Sequence, residues 1–163
     1  MSGYVPASGK QDYETPWWFY NWADQRWGPF TLDAAASAEN AKVKDHFFTQ
    51  EQDALVQEWS GRVWCNPPYG RMTGPFMEKG RRQTEQGYAQ RIAFLVHPKT
   101  DTIWWHDHVP FAKEVACIKG RIKFVNGGDS PYDRHVIIIF EEYYHGPPIL
   151  SFFDVKQIKG DAK

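Results

Sequence analysis

Apolar and polar positions alternate along the 163-residue chain in a pattern that predicts strands and helices in turn. Residues 1–12 are polar and rich in Gly, Pro and Ser; they are expected to form a flexible lead-in to one domain over 13–163. The first helix opens at Glu14-Thr15-Pro16, with Thr15 the expected N-cap, Pro16 the first helical residue, and Trp17, Tyr20 and Trp27 near helical spacing. Gly28-Pro29 stops it. Phe30-Thr31-Leu32 reads as a short strand ending at Asp33, followed by small residues from Ala34 to Ala38. Residues 39–52 read as irregular around Phe47-Phe48, and Asp53 to Trp59 as one or two helical turns. Arg62 to Cys65 is a buried strand that runs into Asn66-Pro67-Pro68-Tyr69, where two prolines must end it.

Further along, Pro75 to Gln86 has an amphipathic helical pattern, Ile92 to Val96 is an apolar strand, and Thr102 to His108 a short helix. Glu114 to Ile118 and Val136 to Phe140 are strands, the second being the most strand-like run in the chain. Between them, residues 125–133 carry strong turn chemistry. Strands alternating with helices predict an α/β fold, a mostly parallel central sheet with helices on both faces.

Composition narrows the class. Hydrophobic residues make up 42% and charged residues 24%, a profile that suits one globular domain and is too short for two. Aromatics reach 17% with eight Trp; they can fill a small core or stack on bases. A net charge of -1 excludes a global basic field, so any duplex contact must use local patches such as Arg81-Arg82 and Lys119 to Lys123. Cys65 and Cys117 sit in strand-like runs and offer neither a disulfide framework nor a metal-knuckle spacing. No run approaches the roughly 18 apolar residues of a membrane span, and the N-terminus has no signal-peptide core. The expectation is a cytoplasmic protein with reduced thiols and no membrane partner.

The sharpest chemical feature is Asn66-Pro67-Pro68-Tyr69. A strand ending in two prolines presents a rigid turn at the carboxyl edge of the sheet, where open α/β folds bind ligands. An exocyclic amino nitrogen about to be methylated needs acceptors for its hydrogens, so that its lone pair faces the incoming methyl. The Asn66 side-chain oxygen and the Pro67 carbonyl can supply two, proline holds that carbonyl still, and Tyr69 can stack on a planar base. The same letters also suit an ordinary strand-to-loop turn.

Other stretches keep this tetrapeptide company: Tyr13 to Trp17, Thr31 to Lys42, Asp53-Ala54-Leu55, Trp64 to Tyr69, and Gly120 to Phe124. On these segments, in this order, the chain resembles the small phage DNA N6-adenine methyltransferases, within the wider Rossmann-like class of amino-methyltransferases. The resemblance implies S-adenosylmethionine as cofactor and duplex DNA with a flipped-out adenine as substrate, the methyl passing directly in line. It implies that Glu14, Thr15 and Pro16 hold the amino-acid end of the cofactor, as a helix N-terminus suits a carboxylate. Asp33, with Ala34 and Ala35, is implied near the methionine ammonium or the ribose. Asp53 is implied near the cofactor adenine, although by itself it also reads as a helix cap. Phe124 resembles a residue packing against the target base, with Arg121 or Lys123 taking a phosphate; core packing is the other reading of Phe124.

The tetrapeptide also serves enzymes acting on cytosine N4 or on protein glutamine, since both present a planar amino group; the surrounding resemblance favours adenine. A binding protein with a decayed site stays as the reading from another class, because Ala34-Ala35-Ala36-Ser37 replaces the usual glycine-rich turn. His97, His106 and His108, near Asp101 and Asp107, lack a third ligand at fixed spacing and read as solvated or core histidines, so no metal is expected. With no room for a separate recognition domain, target reading is expected to fall to the Gly70–Gly74 loop and residues 125–133.

Overall fold

Six strands form one sheet. In the computed structural model, which describes residues 13–125 and 134–162, they are β1 (Leu32–Asp33), β2 (Gly61–Cys65), β3 (Ala89–Val96), β4 (Glu114–Lys119), β5 (Val136–Glu141) and β6 (Ile149–Asp154). Their order is β1-β2-β3-β5-β4-β6, and only β5 runs against the rest. The expected α/β fold with a mostly parallel sheet is therefore present. The carboxyl ends of β1, β2, β3 and β4 open on one edge, which the amino end of β5 shares.

Burial on both faces follows from the period-2 alternation of the strands. Val63, Cys65, Ile92, Phe94 and Ile138 point to one face, under Phe76 and Met77 of α2 (Thr73–Glu85) and Trp104 of α3 (Ile103–His108). Trp64, Ala93, Leu95, Ile137 and Ile139 point to the other, against Phe19, Tyr20 and Ala23 of α1 (Trp17–Trp27) and Ile158 of α4 (Val155–Asp161). Most of the tryptophan excess is spent here: Trp27, Trp59 and Trp64 are buried, and Trp22 packs against Trp27 and Phe153.

Glycine is required where α2 crosses the sheet. A Cβ on Gly80 would overlap the ring of Phe94, which is fully buried and has nowhere to go. Alanine would gain about 1 kcal/mol of helix propensity and lose about 1–3 kcal/mol to overpacking. Gly80→Ala is expected to lower the midpoint of thermal unfolding by a few degrees, read by circular dichroism; a higher midpoint would contradict this packing.

Some boundaries differ from the sequence pattern. Pro16, not Thr15, is the N-cap of α1, with no side-chain cap bond, because the Thr15 hydroxyl is engaged elsewhere. Asp53 to Trp59 yields a single 3-10 turn, Ala54–Val56. Thr73 and Gly74 already belong to α2, so the loop after the tetrapeptide is shorter than expected. β6 and α4 carry no sequence prediction. The expected lead-in over 1–12 and most of the 125–133 loop lie outside the described residues.

Candidate active site

The apolar run of β2 is anchored between β1 and β3, so Asn66 leaves the sheet at a fixed point on its carboxyl edge. The residues around it come from distant parts of the chain. Tyr13, Glu14 and Thr15 cross this edge just before α1, His97 follows β3, Gly120 to Phe124 follow β4, and His135 precedes β5.

The amide of Asn66 has its orientation set by two acceptors. Its Nδ2 donates to the Tyr13 carbonyl at 2.8 Å and to the Thr15 Oγ1 at 3.1 Å. A carbonyl can only accept, so the amide nitrogen must face Tyr13 and Oδ1 must face away. There Oδ1 accepts from the Tyr69 hydroxyl at 2.7 Å. Thr15 thus serves the site by accepting from Asn66, where the sequence suggested a helix cap.

Asn66, Pro67 and Pro68 line one wall of a cavity of about 820 Å³, within the usual range for small-molecule sites. The rest of the lining includes Glu14, Thr15, Asp33, Ala34, Ala35 and Asp53, together with Phe48, Met72 and Phe76. Pro16 is buried at the head of α1 and is not among the lining residues. Glu14 reaches across to Lys42, pairing at 3.2 Å with an ammonium that also lies 4.2 Å from the ring centre of Trp17.

Asp33 is almost wholly buried. Its carboxylate accepts from the Lys42 backbone N–H at 2.8 Å and the Ala35 N–H at 3.3 Å, folding the loop between them around itself. Burial raises its pKa to about 6, against the lowering effect of those two bonds and of Lys42. The Ala-rich turn is pinned by Ala34 N–H to Trp64 O at 2.9 Å and Ala36 N–H to Phe48 O at 3.0 Å. Asp53 and Tyr143 are the only non-glycine residues with positive φ among the described ones. Ala34 to Ser37 therefore never enter the left-handed region, and the turn does not need glycine. Asp53 caps the 3-10 turn, accepting from the Leu55 N–H at 3.1 Å, and also lines the cavity.

Tyr69 is bonded to Asn66 but is not among the residues lining this cavity. Phe124 is buried with its ring centre 5.8 Å from that of Tyr13, which in turn is 6.2 Å from Tyr69. Arg121 and Lys123 are exposed beside Phe124, alternating with buried Ile122 and Phe124, and make no ion pair among the described residues. By contrast, both arginines of the Arg81-Arg82 patch are paired: Arg81 with Glu85 at 2.7 Å and with the Asp107 carbonyl at 2.8 Å, and Arg82 with Glu78 at 2.8 Å.

His135 escaped the sequence reading, and His97, read there as a solvated or core histidine, lies against the tetrapeptide. His97 and His135 pack against Tyr69, with ring centres 4.5 and 5.9 Å away. Only the ends of β3 and β5, adjacent in the sheet but distant in the chain, bring them together. Among the described residues, no three His, Cys, Asp or Glu side chains gather as a metal site, and no helix is long and apolar enough to cross a membrane.

Comparison with known proteins identifies the family. A family model described as DNA N-6-adenine-methyltransferase (Dam) matches residues 3–161. A "DNA N-6-adenine-methyltransferase" of Haemophilus phage HP1 is 36% identical over 142 residues, covering 82% of this chain and 80% of that protein. Another protein of that description, from Escherichia phage T1, is 30% identical over 164 residues, covering 87% of this chain and 67% of its own.

Proposed function

The chain belongs to the DNA N-6-adenine-methyltransferase family, and from that premise we propose that it methylates adenine N6 in DNA with S-adenosylmethionine, at Asn66-Pro67-Pro68-Tyr69. The observation that carries the site assignment is the forced orientation of Asn66, whose Oδ1 is held as an acceptor at the border of a cofactor-sized cavity.

The cavity fits S-adenosylmethionine in its chemistry. Buried Asp33 offers charge to an ammonium or to ribose hydroxyls, Asp53 is an acceptor for an adenine amino group, and Phe48, Met72 and Phe76 give that ring an apolar slot. Thr15 lines the cavity and touches Asn66, so the reacting group belongs at that end. When bound, S-adenosylmethionine supplies an activated methyl on a sulfonium.

What this chain contributes is position. An adenine amino lone pair is delocalised into the ring and nucleophilically weak. Acceptance of its hydrogens by Asn66 Oδ1 and the Pro67 carbonyl favours the pyramidal, reactive nitrogen. Both acceptors are held before the base arrives, Asn66 by two bonds and Pro67 by its ring and burial. The ring of Tyr69, with Phe124 close by, gives a flipped base something to stack on, and exposed Arg121 and Lys123 suit the flanking phosphates. Cys65 is fully buried, which raises its thiol pKa, and it takes no part as a nucleophile.

Transfer of labelled methyl from S-adenosylmethionine to unmethylated duplex DNA, followed by nucleoside analysis, tests the reading. Label is expected in N6-methyladenine; label in cytosine instead would refute the substrate, and bound cofactor without any transfer would refute DNA as the acceptor. A subtler expectation concerns Thr15→Val, which keeps the shape but strands one Asn66 N–H. That change should lower kcat by roughly tenfold, from about 1–2 kcal/mol of lost orientation, while cofactor affinity moves little. An unchanged kcat would remove Thr15 from the site.

A further inference from the structure

Five aromatic side chains close a circuit on the Tyr69 side of Asn66. Ring centres run from Tyr13 to Tyr69 at 6.2 Å, Tyr69 to His97 at 4.5 Å, and His97 to His135 at 4.5 Å; the circuit closes through Phe124, 4.9 Å from His135 and 5.8 Å from Tyr13. Within it the Tyr69 hydroxyl donates to Asn66 Oδ1 at 2.7 Å, the acceptor on which the proposed reaction depends. This hydroxyl therefore stands where the hydrogen of a target amino group must go.

Resting on the function proposed above, we infer that His97 and His135 are positioning residues for the reaction. They clamp the Tyr69 ring so that its hydroxyl keeps Asn66 Oδ1 occupied until an adenine amino group displaces it.

The geometry supports each half of this. His97 is fixed from behind: its Nδ1 meets the Arg134 carbonyl at 2.9 Å, so that nitrogen carries the hydrogen and the ring is held between β3 and β5. His135 is buried and touches Tyr69, His97 and Phe124 at once, tying the two expected base-stacking rings together. Asn66 cannot turn away from Tyr69, because its Nδ2 is held by Tyr13 and Thr15. An occupied acceptor keeps the amide oriented in the absence of substrate and loses nothing when one donor replaces another. A base without an amino hydrogen for Oδ1 cannot repay the bond it must break, so the exchange also selects.

Steady-state methyl transfer to unmethylated plasmid duplex, with cofactor binding by calorimetry, tests this in three variants. Tyr69→Phe keeps the ring and deletes the competing hydroxyl, so kcat/KM should rise by about 2- to 10-fold, through KM for DNA. An unchanged or lower kcat/KM overturns the displacement. His97→Leu removes the ring wall and should lower kcat/KM at least fivefold at unaltered cofactor affinity, with His97→Phe returning to within threefold of the parent protein. A loss that Phe does not repair, or no loss, overturns the positioning role. Should His97→Leu fail to fold, His97→Phe and Tyr69→Phe still decide. A parent protein that leaves adenine unmethylated overturns the function itself, a result distinct from any of these.

Discussion

Asn66→Ala is expected to abolish methyl transfer to adenine nearly completely, by about 10²–10³-fold in kcat. On the proposed function, the change removes the side-chain acceptor for the amino group and leaves the cavity almost intact, since Asn66 is one of many lining residues. Cofactor affinity should therefore stay within about threefold, the pattern of an interaction made in the transition state rather than on binding. Truncation also takes the donor from the Tyr13 carbonyl and from the buried Thr15 hydroxyl, so folding stability should fall by about 1–3 kcal/mol. Parallel measurement of kcat, cofactor affinity and thermal unfolding checks the three parts. A variant retaining a tenth or more of the activity would remove Asn66 from the centre of the reaction.

Asp33 carries the second large effect, on cofactor affinity. Asp33→Asn should weaken S-adenosylmethionine binding by about 10- to 100-fold at pH 7.5, because the amide keeps a similar shape but loses the charge facing the ligand's donors. The same carboxylate predicts a pH dependence. With its pKa raised to about 6 by burial, it is ionised at pH 7.5 and about nine-tenths protonated at pH 5. Cofactor affinity should hold steady above pH 7 and weaken about tenfold on going to pH 5. No histidine is among the described residues lining the cavity, so this titration has no rival of that kind there. A flat affinity from pH 5 to 8 would sink the assignment.

The unliganded fold should move the opposite way. The folded pKa of Asp33 lies above the 3.8 of an unburied aspartate, so the folded state binds the proton more readily. Its contribution to stability is complete below pH 3.8 and is lost as pH rises through about 6. Unfolding of the parent protein minus that of Asp33→Asn, followed from pH 4 to 7, isolates this term from Glu141 and Asp154. Their lowered pKa values act in the reverse sense, removing stability in acid.

The sequence by itself determined the strands from β2 to β5, the helices between them, and the placing of Asn66 at a strand's end. These features are written in neighbouring residues: short unbroken apolar runs, a polar face on α2, and prolines that cannot continue a strand. It also determined the family, because the segments that carry it are short and ordered along the chain. β6 escaped because Ile149 and Leu150 are consecutive and both exposed, which breaks the alternation a half-buried strand displays. Only the tertiary structure decided which groups serve the site. Thr15 looked like a cap because a local bond was available to it, yet its hydroxyl accepts from Asn66, 51 residues away. The burial that tunes Asp33, the alanines that suffice where glycine was expected, and the meeting of His97 with His135 likewise depend on strand order. Local preferences are set by each residue's own backbone and neighbours, whereas burial and contact across the sheet edge exist only once distant strands have paired.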